Sequence, residues 1–144
     1  MKVDFWQLSR DPVDKVVTLI AQRVMDAGDR LLVVSKSSEQ REAISRALWK
    51  AGPESFLAHG EASAPGAADQ PILLSSSSDP ANKASHVIFA DGEFRSPDGF
   101  ERAFLLFDDE TLEAARGTWR SLDDKNGLER AFFRQEGGKW TKVA

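Results

Sequence analysis

The side chains in this chain whose type and spacing could do chemistry are aromatic and basic. Leu48 to His59 reads Leu-Trp-Lys-Ala-Gly-Pro-Glu-Ser-Phe-Leu-Ala-His, so Trp49 and Phe56 flank a Gly-Pro break at the end of an amphipathic stretch. A Trp closing a helix, followed by a turn and a Phe on a short extended segment, can wall one side of a small apolar pocket suited to a peptide anchor. Further on, Leu112, Arg116, Trp119 and Arg120 fall at i, i+4, i+7 and i+8, which sets two guanidinium groups along the flank of an apolar helical stripe. An Arg beside an aromatic-lined pocket can hold a carboxylate through two N–H donors. The same spacing also allows Arg116 to pair with Glu113 or Asp124 and Trp119 to be plain core.

Catalytic and metal-binding patterns are missing where they would be expected. His59 and His86 are the two histidines, and neither has a second His or a carboxylate at a ligand spacing. The run Ser75-Ser76-Ser77-Ser78 lies in no Gly-x-Ser-x-Gly or Ser-x-x-Lys context and reads as a loop. Asp108-Asp109-Glu110 is better explained as acids opposing a helix dipole than as an acid/base pair. No catalytic residue, metal ligand or cofactor site is therefore assigned.

The elements that must position Trp49 and Arg116 follow from hydrophobic period and punctuation. Val3 to Leu8 is a strand closed by Ser9-Arg10-Asp11-Pro12, and Asp11 with Pro12 opens a helix carrying Val13, Val16, Val17, Ile20 and Val24 to its stop at Gly28. Leu31 to Val34 is a strand buried on both faces, and Ser37 with Gln40 has the spacing of a capping box for a second helix. That helix buries Ala43, Ile44, Ala47 and Leu48 and stops at Gly52-Pro53. Ser55 to Ala58 reads as a short strand, Gly60 to Asp69 as a loop, and Pro71–Leu74, Val87–Ala90 and Phe104–Phe107 as further strands. A long helix from Asp108 to Lys125 sets Leu112, Ala115, Trp119 and Leu122 on one side and ends at Asn126-Gly127. Ala131-Phe132-Phe133 and Lys139-Trp140-Thr141 around Gly137-Gly138 read as a hairpin or an ordered tail. The alternation predicts one α/β domain over residues 1–144, with a mostly parallel sheet and helices on both faces.

Composition narrows the function classes. At 144 residues and 41% hydrophobic content, with no apolar run of membrane-spanning length, the chain suits one domain with one core and no membrane partner. The first residues lack a signal-peptide pattern, and the absence of cysteine excludes thiol catalysis and agrees with a reducing cytoplasm. A net charge of -4 opposes a broad nucleic-acid-gripping surface, and direct single-stranded-DNA binding through a local patch of Arg116, Arg120, Arg130 and Arg134 is a rival reading. Strand-helix alternation also raises a degenerate nucleotide-binding domain. Against it, the turn after the first strand is Ser-Arg-Asp-Pro, with no glycine and with Asp11 where a phosphate would sit.

With these pieces in place, the chain resembles the chi subunit family of bacterial DNA polymerase III holoenzyme over nearly its whole length. Phe5-Trp6-Gln7-Leu8 is similar to the family's first strand, and Leu48-Trp49, Glu54-Ser55-Phe56, His59, Pro71–Leu74 and Ala115-Arg116 follow in the family's order. The resemblance implies a Rossmann-like α/β fold with no phosphate-binding loop and a non-enzymatic accessory subunit. Such a subunit links the clamp loader to single-stranded-DNA-binding protein during replication, in the cytoplasm and on the nucleoid through the replisome. It implies capture of that protein's acidic, Phe-terminated tail by Trp49, Phe56, Leu105, Leu112, Arg116 and Arg120, with Arg116 facing the terminal carboxylate. The psi subunit or another clamp-loader component is the second implied partner, and DNA is met only indirectly. Leu112 stands where family members often carry a Lys, which implies a less basic pocket and weaker salt dependence.

Overall fold

A computed structural model describes residues 1–9, 11–51, 57–122, 127–136 and 139–144. Gly52-Pro53, the Ser55–Phe56 part of the expected third strand, Asn126 and the Gly137-Gly138 turn lie outside the described residues. In chain order the elements are β1 (Lys2–Gln7), α1 (Val13–Asp26), β2 (Leu31–Val34), α2 (Ser38–Lys50), β3 (His59–Glu61), a 3-10 turn at Ala67–Asp69, β4 (Ile72–Ser75), β5 (His86–Phe89), β6 (Arg102–Phe107), α3 (Leu112–Ser121), β7 (Glu129–Glu136) and β8 (Lys139–Lys142). The strands form one eight-stranded sheet in the order β3-β4-β2-β5-β6-β1-β7-β8. All pairings are parallel except β7 with β8, where Phe133 faces Lys142 and Gln135 faces Trp140.

Chain direction across this sheet decides which face each helix covers. From β1 to β2 to β3 the chain moves toward one edge, and right-handed crossovers put α1 and α2 on the same face. From β4 through β5 and β6 to β7 it moves back, so α3 lies on the other face. The two buried clusters agree with this. One joins Trp6, Val17, Ile20, Leu48 and Phe104, and the other joins Phe5, Leu32, Leu105, Ala115 and Leu122. Because β2, β4 and the middle of β6 are covered on both sides, they read as continuous apolar runs rather than alternating ones.

Helix ends show where local chemistry departs from expectation. Pro12 rather than Asp11 occupies the N-cap position of α1 and gives no side-chain cap. Asp11 is drawn instead to Lys15 at 3.1 Å and to Gln135 Nε2, which donates to its Oδ2 at 2.8 Å. At the other end, Gly28 at φ 80° closes α1 as a Schellman turn, its N–H bonding Met25 O while Asp29 N–H bonds Val24 O. Ser37 does cap α2 by accepting from Gln40 N–H at 3.1 Å. The Gln40 side chain does not complete the reciprocal box, because its Nε2 donates to Ala90 O and its Oε1 accepts from Ser35 Oγ. The third helix is shorter than expected, starting at Leu112 rather than Asp108. Asp108 spends its carboxylate on Thr111, accepting from N–H at 3.1 Å and from Oγ1 at 3.0 Å, and so forms a turn before the helix.

Beyond β5 the chain is pinned by Asp91. Its carboxylate accepts both Arg95 terminal nitrogens, at 2.8 and 2.7 Å, and the N–H groups of Lys36 and Glu93. Desolvation, the largest single influence, pushes its pKa up, but the Arg95 fork and the two backbone donors together outweigh it and hold the carboxyl below its ordinary value. A carboxylate lowered on folding contributes stability above its unfolded pKa, and that contribution is lost as pH falls through the folded pKa. Asp91→Asn is therefore expected to destabilise by about 1–2 kcal/mol at pH 7. Urea unfolding of both proteins should show the gap closing as pH drops below the ordinary value near 3.8. A gap that is constant down to pH 2 would contradict this account.

Candidate functional site

Two surfaces carry the residues singled out by chemistry, and the sheet lies between them. Trp49 sits near the end of α2 and is 62% exposed. Its ring meets that of His59 at 4.7 Å, and His59 is fixed by Ser45 Oγ at Nε2, 2.8 Å away, and by Leu57 O at Nδ1, 2.9 Å away. Helix α2 thus presents a large aromatic to solvent, steadied by a histidine on the edge strand β3. Phe56 lies outside the described residues.

Arg116 is on the opposite face. It is exposed and bonds Glu113 Oε1 at 3.0 Å, the i, i+3 pairing allowed by its spacing. Arg116 and Arg120 share a cavity of about 260 Å³ with Gln7, Trp119, Phe132, Arg134, Val143 and Ala144. Its apolar wall belongs to a packed aromatic cluster. The Trp119 ring stands edge-on to Phe5 at 5.1 Å and to Phe132 at 5.9 Å, while Phe5 and Phe132 stack at 6.3 Å. Arg130 lies over the indole of Trp119 at 4.3 Å and donates to Trp119 O, locking that ring in place. Arg134 reaches Gln7 Oε1 at 3.4 Å.

The expectation that Trp49 and Arg116 wall a single pocket is corrected by this arrangement. Leu48 packs with α1 in one cluster, whereas Leu112, Ala115 and Trp119 pack in the other. From the β3 edge to β1 there are also five strand steps, roughly 24 Å at the usual spacing. Leu105 is fully buried and Leu112 half-buried in the core on this face, and neither lines the Arg116 cavity. The pocket is also more basic than expected, because Arg134 adds a third guanidinium beside Arg116 and Arg120.

Sequence reasoning did not assign Phe132, Arg134, Val143 and Ala144 to the pocket. A usable signal was present, since Arg130, Phe132 and Arg134 alternate with period two and so share one face of β7. Using it required knowing that β7 joins the sheet beside β1, a long-range pairing.

The crevice where a nucleotide would bind in such a sheet is nearly closed. At the carboxyl ends of the strands, a cavity of about 70 Å³ is bounded by Leu8, Gln40, Asp91, Phe107 and Asp108, against the several hundred Å³ a cofactor needs. Among the described residues no group of three or more His, Cys, Asp or Glu could hold a metal ion. Among them, no helix is long and apolar enough to cross a membrane.

A search of curated proteins returns no match. The family model for the DNA polymerase III chi subunit, HolC, matches residues 1–129. That span takes in Trp49, Arg116, Trp119 and Arg120, while the Phe132, Arg134, Val143 and Ala144 wall lies beyond it.

Proposed function

The chain belongs to the DNA polymerase III chi subunit family, which makes it a replication accessory subunit, and from that premise we propose that it joins two replication partners through two separate surfaces. The Arg116–Arg120–Arg134 pocket takes the acidic, Phe-terminated tail of single-stranded-DNA-binding protein. The Trp49 face meets the clamp-loader side, through the psi subunit or another component. DNA is met through the first partner, and the subunit works in the cytoplasm without catalysing a reaction.

The observation that carries this reading is the cavity of about 260 Å³ with an aromatic wall and three arginines around it. A terminal Phe fills the apolar part, its carboxylate takes a guanidinium fork, and preceding acids meet the remaining cations. Burying one Phe contributes about 1.5–3 kcal/mol and a charged hydrogen bond about 1.5–3 kcal/mol, before the cost of ordering the tail. A weak single site is enough when a multimeric partner offers several tails, because the local concentration is high. Titrating a labelled Asp-rich, Phe-ending peptide while following anisotropy tests it directly. Saturable binding that a Phe→Ala peptide loses supports the reading, and no saturation sinks it.

A bridging role needs surfaces that do not compete, and the sheet between Trp49 and Arg116 meets that need. Exposed tryptophans are frequent interface anchors. Trp49→Ala is expected to weaken association with the clamp-loader assembly by at least about thirty-fold, the hot-spot scale, in a pull-down or calorimetric titration. Unchanged association would remove this face from the proposal. The four arginines Arg116, Arg120, Arg130 and Arg134 lie around one aromatic wall, which favours single-stranded DNA as the second reading. Displacement of the bound peptide by an oligonucleotide would support that alternative.

A further inference from the structure

The face bearing α1 holds a second cavity, of about 160 Å³, between the last turns of α1 and the first residues of β5 and β6. Trp6, Ile20, Val24 and Phe104 give it an apolar lining, and Arg23, His86 and Arg102 give it polar groups. Neither the Trp49 surface nor the Arg116 pocket shares a lining residue with it.

The polar groups are held in place yet keep donors in hand. The guanidinium of Arg102 lies 5.0 Å over the Phe104 ring and gives Nε and Nη2 to Asp4 Oδ2, so Nη1 is outside that fork. His86 stands near-parallel to Phe104 at 6.4 Å and is oriented by Ser85 Oγ, 2.8 Å from Nδ1, which leaves Nε2 for another partner. Arg23, exposed in the last turn of α1, makes no ion pair among the described residues. Trp6 is only 4% exposed, and its buried indole N–H has no hydrogen-bond partner. A buried donor left unpaired is costly and calls for a partner that the folded chain does not itself supply.

Size and charge together select a ligand class. An apolar hole of about 150 Å³ accommodates one benzene-sized ring. Asp4 neutralises one of the two guanidinium groups, so the site carries a net cation with Nη1 of Arg102 and all of Arg23 still able to donate. A bare inorganic anion would leave the apolar lining unfilled, and an uncharged ring would leave the cations unmet. We propose that this cavity binds a small aromatic monocarboxylate, its ring against Phe104, Trp6 and Val24 and its carboxylate held by Arg102 and Arg23.

Benzoate is the probe, added to the uniformly ¹⁵N-labelled full chain while the indole N–H signal of Trp6 is followed by NMR. A saturating shift in the millimolar range is expected, with benzyl alcohol and acetate each at least about ten-fold weaker because each lacks one half of the recognition. Arg23→Gln, a change at an exposed position, should weaken benzoate about ten-fold without altering the rest of the spectrum. No saturation at millimolar benzoate, equal binding of benzyl alcohol or acetate, or unchanged affinity in Arg23→Gln would each overturn the proposal.

Discussion

Arg116→Ala is expected to lower the affinity for an acidic, Phe-ending peptide by about ten- to a hundred-fold, the loss of a charge-assisted contact of about 1.4–2.8 kcal/mol. Stability should hardly change. Among the described residues Arg116 is paired with Glu113, and the two side chains are 54% and 80% exposed, a kind of pair that contributes little. The same pairing makes a second arm of the test. Glu113→Gln removes a competitor for the guanidinium and should leave peptide binding unchanged or tighten it. Salt acts on all three arginines, so affinity should fall clearly between low and physiological ionic strength, contrary to the weak salt dependence implied by Leu112 standing in place of a Lys. Trp49→Ala is the control, because the sheet separates it from this pocket. If it weakens the peptide as much as Arg116→Ala does, the two-surface reading fails.

Much of this fold was legible because its signals are local. The strand at Leu31–Val34 appears at the expected residues, since a four-residue apolar run between polar neighbours has few other uses in an α/β chain. Leu112, Ala115, Trp119 and Leu122 pack on one side of α3 as their spacing requires. Element ends were harder to read, because polar side chains there choose among several partners. Asp11 and Asp108 both had helix-start chemistry available, and tertiary bonds to Gln135 and a local turn with Thr111 took them instead.

The candidate site was legible only in halves. Two aromatic or basic clusters can be found by periodicity, but whether they meet depends on which face each crossover covers. That face is set by the direction in which the chain crosses the sheet, a property of strand order that no local pattern encodes. The order β6-β1-β7 places Phe132 and Arg134 next to Gln7 and turns Arg116 toward a wall built after residue 129.

The largest stability loss is expected at Asp4, in β1. Asp4 is fully buried, flanked by β6 and β7, and its Oδ2 takes Arg102 Nε at 2.9 Å together with Nη2. Lys2 Nζ stands 3.9 Å from the other oxygen, which otherwise has no hydrogen-bond partner. A buried ion pair is a weak stabiliser compared with well-packed apolar residues, yet breaking it from one side strands the remaining charge. Asp4→Ala leaves the Arg102 guanidinium over Phe104 with no carboxylate and opens a gap in the sheet, which should cost about 3 kcal/mol and lower Tm by roughly 6–12 °C for a chain of this size. Arg102 is part-exposed and can turn to water, so the loss should lie at the lower end of the range for buried pairs. The double variant Asp4→Leu with Arg102→Leu separates the two causes, because it removes both charges and fills the gap. It should regain more than half of the lost stability in urea unfolding, a non-additivity expected of directly bonded partners. A double variant as unstable as Asp4→Ala alone would show that backbone packing of β1, rather than a stranded charge, sets the penalty.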